Sequence, residues 1–161
     1  QGRFYTTHEL TIQPKPHQQP IPVWFGGRSD AAYKRIGRLG DGFLGSYQPP
    51  EEAAEAVQAI RQAAESYERH IPEDHYGTIV PFHFGDEDIS NEIAALVKRM
   101  NPRVPFDTYA AWRTPDAVRR CIDAFVAIGI TKFVFRPMVN GPALYEQFAE
   151  LAKVVVPHYH H

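Results

Sequence analysis

Four short apolar runs, each followed by a stretch of helical periodicity, constrain the fold of this chain more than any other feature. The first repeat is the clearest: PVWFGGRSDAAYKRIGRLGDGFLG, residues 22–45. Val23-Trp24-Phe25 is a continuous apolar run of the kind found in strands covered on both faces. Ser29 suits a helix N-cap with Asp30 in the first turn; Ala32, Ile36 and Leu39 follow at helical spacing, and Gly40 ends the helix. Gly42-Phe43-Leu44-Gly45 then reads as a second strand.

The pattern continues along the chain. Pro49-Pro50 and Glu51-Glu52 open a long helix with Ala53, Val57, Ile60, Ala64 and Tyr67 on one stripe, and residues 72–77 read as a loop. Thr78 to Phe84 is a third strand in which Pro81 removes a ladder donor and predicts a bulge or break. Asp86 to Met100 carries a helical stripe of Ile89, Ile93, Leu96, Val97 and Met100. Asn101 to Arg113 reads as an irregular insertion or lid. Thr114-Pro115-Asp116 starts a helix with Val118, Ile122 and Phe125 on its apolar face, stopped by Gly129. Ile130 to Arg136 is the fourth strand, and a last helix from Pro142 uses Leu144, Phe148, Leu151 and Val155.

Four strands alternating with helices define an α/β chain with a parallel sheet. Residues 1–21, rich in proline, read as a connector to a domain spanning 22–161. A (β/α)8 barrel takes about 250 residues, so four βα units in 161 correspond to half a barrel. A small doubly wound sheet with helices on both faces has the same count, and the count does not choose between them. Either way Val23, Phe25, Leu44, Ile79, Val80, Phe133, Val134 and Phe135 are expected to be mostly buried.

Charge and composition exclude some functions. Lys and Arg number 17 against 19 Asp and Glu, without a basic cluster, which argues against nucleic acid. No apolar run is long enough to span a bilayer, and no signal peptide is visible. The one cysteine, Cys121, cannot form an internal disulfide and fits a reducing, cytoplasmic compartment. It falls on an apolar helix side and reads as an inert core thiol. His158, His160 and His161 read as a frayed terminus, and no metal site is expected. The chain opens on Gln1, in mid-pattern, and so reads as a piece of something longer.

Gly26-Gly27-Arg28-Ser29 combines two residues without Cβ, a guanidinium, a hydroxyl and a helix start. Such turns cradle phosphate with backbone N–H groups at the positive end of a helix. The same glycines serve equally in a tight βα turn that needs positive φ. The spacing fits neither the dinucleotide fingerprint nor the Walker loop.

The order Ile12 to Pro14, Gln19-Pro20, Pro22 to Ser29, Ala31-Ala32, Arg38 to Phe43, and finally Gly129-Ile130 with Phe133 to Pro137, resembles the bacterial luciferase-like monooxygenases. It is most similar to their coenzyme F420-dependent branch. The resemblance implies a flavin or deazaflavin oxidoreductase on a TIM-type barrel, of which this chain holds strands five to eight. It implies that Gly26, Gly27, Arg28 and Ser29 hold the cofactor phosphate. It also implies that Ser46 and Tyr47, with Gly45 and Gln48, line the same mouth. Arg136, ending the last strand, joins them as an anion contact, whereas Asp41 is read as structural. The catalytic acid–base residues of the family lie in the half not present, so none is assigned, and the fragment alone is expected to be inactive. His83 is the best local candidate for a polar pocket group.

FMN and coenzyme F420 both suit such a nest. Arg28, Lys34 and Arg136 favour the larger acidic tail of F420. A small organic substrate is implied but not identified. Two other readings stand beside the enzyme fragment: a non-catalytic flavin- or phosphate-binding module, and a small flavodoxin-like protein with an open sheet. A half barrel leaves strand edges and an inner wall bare, so a homodimer is expected.

Overall fold

A computed structural model describes residues 2–11, 13–86, 88–89, 91, 95 and 99–159. Among them the chain forms five strands and four α-helices. In order these are β1 (Trp24–Phe25), α1 (Asp30–Leu39), β2 (Gly42–Ser46), α2 (Pro50–Ser66), β3 (Tyr76–Phe84), β4 (Ala111–Arg113), α3 (Pro115–Val126), β5 (Lys132–Pro137) and α4 (Ala143–Val154). Asn91, Ala95, Arg99 and Met100 are also helical. Ile93, Leu96 and Val97 of the expected stripe, and the terminal His160 and His161, lie outside the described residues.

Every strand pairing is parallel. β1 pairs with β2, β2 with the first half of β3, and β3 with β5, so the four anticipated strands are neighbours in chain order. The fifth, β4, extends the ladder where β2 stops, pairing Phe82 with Ala111 and Phe84 with Arg113. It lies in the stretch expected to be irregular, where three residues before a helix cap are too few to show a period. Strand β3 also begins earlier than expected. Residues 73–75 form a short 3₁₀ turn, and Tyr76 and Gly77 already pair with β2.

Pro81 makes neither a bulge nor a break. Tyr76 and Phe82 direct their carbonyls to Thr131 and Met138 on the β5 side. Alternation turns Pro81 toward the other edge, between the last β2 rung at Ile79 and the first β4 rung at Phe82. The missing N–H therefore faces the one interval where no partner strand needs it.

All four helices cover one face. Phe43, Tyr76, Val80 and Phe82 point into them and join Ile36, Ile60, Val118, Ile122, Phe125 and Leu151 in one core. Helix α1 is capped by the Ser29 hydroxyl, which accepts from the amide of Ala32, and α3 by Thr114, which accepts from Ala117. Both caps are the residues the sequence offers. Gln147 of α4 clamps the end of β3: its amide accepts from the Phe84 N–H (2.7 Å) and donates to the Phe84 carbonyl (2.9 Å).

The opposite face alternates with this one and carries Leu44, Ser46, Ile79, Val134 and Arg136. Here the expected burial fails. Val134 is 48% exposed, and Leu44 and Ile79 are half-buried, because among the described residues no helix layer lies over them. Val23 is 44% exposed just before the edge strand β1, while Phe25, Phe133 and Phe135 are half-buried against the helix-side core. Of the eight positions only Val80 is fully enclosed. Tyr67, expected on the α2 stripe, lies past the helix end and is exposed, as are Leu39 and Phe148. Residues 2–11 and 13–21 form neither helix nor strand and are exposed.

Candidate functional site

In a parallel sheet every strand ends on the same edge, so the residues that follow β1, β2, β3 and β5 are gathered there by topology. The turn after β1 is Gly26-Gly27. Gly27 has φ +145°, and a Cβ on it would sit 2.5 Å from the Cβ of Ala32 in the first turn of α1. A Cβ on Gly26 would meet the Leu44 carbonyl at 3.1 Å. Both glycines therefore allow β1 to turn tightly into α1. Ser29 takes one first-turn amide of α1 with its own hydroxyl, and the end of the helix dipole remains beside the turn.

Arg28 leaves this turn toward the neighbouring strand ends. Its Nη1 donates to the Tyr47 carbonyl (3.4 Å) and its Nη2 to the Met100 carbonyl. Tyr47 follows β2 directly, with φ +55°, an uncommon conformation for a non-glycine residue. That conformation is held from three sides. The buried Asn101 donates its Nδ2 to the Tyr47 carbonyl (2.9 Å), Arg28 binds the same oxygen, and the Tyr47 hydroxyl accepts from Nη1 of Arg136. The ends of β1, β2 and β5 thus meet at one tyrosine.

A second small core supports the cluster. Tyr47 stacks edge-on against Tyr109 at 6.2 Å, and Ile89, Ala110 and Met138 complete the group. Burial pushes the Tyr109 phenol above its usual range, a shift that the Arg28 charge partly opposes. Most of this support comes from Ile89 and from residues 101–110, the stretch expected to be irregular.

The other anticipated residues fall in different places. Ser46 is half-buried on the open face, opposite Ile79. Lys34 lines a cleft between α1 and α2 with Tyr33, Gln62 and Tyr67, and does not join Arg28 and Arg136. Asp41 sits at the other end of the sheet, where its carboxylate accepts from the Val23 N–H (2.9 Å) and faces Arg69 (3.3 Å). That is a structural brace. His83 is only 1% exposed, tilted against Trp112 at 5.8 Å, and neither ring nitrogen has a partner among the described residues. Burial pushes the Cys121 thiol up to about 12, so it stays protonated and unreactive at ordinary pH. Among the described residues no group of three His, Cys, Asp or Glu side chains could hold a metal, and no helix is long and apolar enough to cross a membrane.

The sequence reading missed Asn101, Arg99 and Asn140. Asn101 gave only one sign, its place between a helical stretch and Pro102. Arg99, Arg136 and Asn140 line an open cleft of ≈ 280 Å³ beside Met138. Only the fold joins positions so far apart in the chain.

Known proteins resemble the chain in sequence and in fold. Over 114 residues it is 26% identical to an uncharacterized protein of Mycobacterium tuberculosis, a match covering 71% of this chain and 36% of that protein. An F420-dependent secondary alcohol dehydrogenase, solved with an F420-acetone adduct, superposes with a TM-score of 0.75 at 16% identity, covering 100% of this chain and 55% of the other. The monooxygenase RslO1 of Streptomyces bottropensis gives 0.69 at 18% identity, covering 99% and 55%. The coenzyme F420-dependent tetrahydromethanopterin reductase of Methanopyrus kandleri gives 0.66 at 17%, covering 88% and 52%. The chain therefore spans about a third of the curated relative and about half of each solved neighbour, and its sheet is part of a luciferase-like TIM barrel. Because the luciferase-like monooxygenase model also matches residues 1–106, directly over the glycine turn, Tyr47 and Asn101, the chain belongs to the luciferase-like monooxygenase family.

Proposed function

We propose that this chain is the C-terminal half of a flavin- or deazaflavin-dependent oxidoreductase, with residues 1–21 as connector and 22–161 as half of the barrel domain. It supplies the cofactor-phosphate site and closes the barrel. The observation that carries this reading is the convergence of Arg28 and Arg136 on Tyr47 at the carboxyl edge of the sheet. Among the described residues neither guanidinium has a carboxylate partner, and both are exposed. Such a donor set suits a phosphate, to which guanidinium offers paired N–H groups. Gly26, Gly27 and Ser29 bring backbone amides and the start of α1 to the same edge. Leu44, Ile79 and Val134 on the open face give a planar ring an apolar wall, with Ser46 between them. A bound F420 or FMN supplies the hydride chemistry, and FMN also oxygen activation.

The roles of this chain are to bind and orient. Arg28 and Arg136 neutralise phosphate charge, and Tyr47, itself held by Asn101, fixes their spacing. A small organic substrate enters from the same mouth. The lone thiol fits a reducing cytoplasm. In isolation the chain is expected to pair with itself: among the described residues β1 and β5 each have one unpaired edge, and the inner wall is open. A well-folded monomer in sedimentation at micromolar concentration, binding no apolar dye, overturns that expectation.

Calorimetric titration of phosphate, FMN and F420 tests the site. Gly27→Val should abolish phosphate binding, because positive φ and the Ala32 contact both reject a branched side chain. Arg28→Ala should weaken it by roughly 0.5–1.5 kcal/mol, one charge-assisted contact in water. If Gly27→Val destroys the fold, Arg28→Ala decides alone. Unchanged phosphate binding in a folded Arg28→Ala protein, or no binding by wild type, overturns the proposal.

A further inference from the structure

The cleft beside Met138 holds two polar side chains that the proposed phosphate site does not use, Arg99 and Asn140. Arg99 is exposed on its helical turn and makes no hydrogen bond or ion pair among the described residues. Arg136 lines the same cleft from β5, and among the described residues only its Nη1 is engaged, on the Tyr47 hydroxyl. Asn140 adds an amide to the same wall that makes no side-chain hydrogen bond among the described residues. Arg28 does not line the cleft but is tied to its border, because its Nη2 bonds the carbonyl of Met100, the residue after Arg99. Two guanidiniums thus share one cleft wall, and a third is bonded to the carbonyls of Met100 and Tyr47 beside it, in a chain whose formal net charge is -2. Elsewhere the arginines in ion pairs have carboxylates: Arg61 with Glu73, Arg69 with Asp41, Arg119 with Asp116. Among the described residues no carboxylate lines the cleft.

Like charges brought together without counter-charges repel, and a ligand with several negative charges relieves that repulsion while accepting forked N–H donors. A single phosphate at the glycine turn reaches Arg28 and leaves Arg99 and Asn140 unused. We propose that Arg99, Arg136 and Asn140, flanked by Arg28, form a second anion site for a group carrying at least two negative charges, such as a phosphate ester or neighbouring carboxylates. The group has two possible carriers, the acidic tail of a deazaflavin cofactor or an anionic substituent of the substrate. The chemistry of recognition is the same for both.

Inorganic pyrophosphate is the probe, with orthophosphate as the control, titrated calorimetrically at low salt. Pyrophosphate should bind about tenfold more tightly than orthophosphate, as expected for one further guanidinium contact. Arg99→Gln, which breaks no hydrogen bond or ion pair among the described residues, should abolish that preference while orthophosphate binding persists. Arg99→Lys should recover part of it as a point charge without the fork. Phenylglyoxal labelling with peptide mapping gives a second readout: pyrophosphate should protect Arg99 and Arg136 in wild type. Titrating F420 and FMN into Arg99→Gln separates the carriers. Weaker F420 with unchanged FMN assigns the site to the cofactor tail, whereas weaker pyrophosphate with both cofactors unchanged assigns it to the substrate. Equal pyrophosphate affinity in wild type and Arg99→Gln, or equal labelling with and without pyrophosphate, overturns the proposal. The glycine-turn site survives that result, because its own test is the effect of Arg28→Ala on orthophosphate.

Discussion

The two faces of the one sheet differ although the same strands build both. On the helix side, Phe43, Tyr76, Val80 and Phe82 are excluded from solvent by four helices. On the other side, one residue along each strand, Val134 is half exposed, Ser46 and Ile79 are partly covered, and Arg136 reaches into solvent. The first face is a finished core. The second is a wall whose apolar, small and charged residues suit neither a core nor an ordinary wet surface, and it ends in the arginine cluster. The difference teaches that burial is divided by strand parity: the outward set holds the chain together, and the inward set is the one the proposed function assigns to a ligand and a second wall.

The largest expected effect separates the faces by truncation. Phe82→Ala should lose about 3–5 kcal/mol in urea denaturation, since it opens a cavity in a close-packed core. Val134→Ala should lose under about 1 kcal/mol, because half of that side chain is already wet. Comparable losses at the two sites would show the open face to be covered in solution, and so break the comparison.

A smaller effect probes how closely the helix layer is packed. A Cβ on Gly37 of α1 would lie 2.6 Å from both the Cβ of Ala63 and the amide nitrogen of Ala64 in α2. Gly37→Val should therefore push the helices apart and cost about 1–3 kcal/mol, read as a lower thermal midpoint. An unchanged midpoint would mean that the α1–α2 contact is loose and the covered face less finished than its burial suggests.

The smallest effect is a pH dependence. Cys121 on α3 is held near 12 by burial, against an ordinary value of 9.0. Above pH 9 the unfolded chain releases this proton and the folded chain keeps it, so the unfolded state binds fewer protons and stability falls as pH rises. The loss should reach roughly 1 kcal/mol between pH 9 and pH 10, and Cys121→Ala should lack that component. Identical slopes for the two proteins would place the thiol in water.

Much of the scaffold was legible because its signals are local. Ser29 and Thr114 cap the helices they precede, Gly27 adopts the positive φ that its turn needs, and the four apolar runs pair in chain order. Parts of the site were legible as residues but not as an arrangement. Arg28, Tyr47 and Arg136 could each be picked from the ends of strands, yet nothing in their spacing shows that one tyrosine joins the other two. Lys34 had the right charge and the wrong place, since helical rotation carries it to the α1–α2 cleft.

By itself the sequence determined the alternation of strand and helix, the caps, the tight glycine turn and the family. Each depends on neighbours within a few positions, where backbone sterics and side-chain period act directly. Only the tertiary structure decided which face of each strand is covered, that β4 extends the ladder past β2, and that Asn101, 54 residues away in sequence, holds the Tyr47 carbonyl. Those outcomes depend on which elements lie against one another. Parity fixes that two faces exist, and packing alone selects the one that becomes a core.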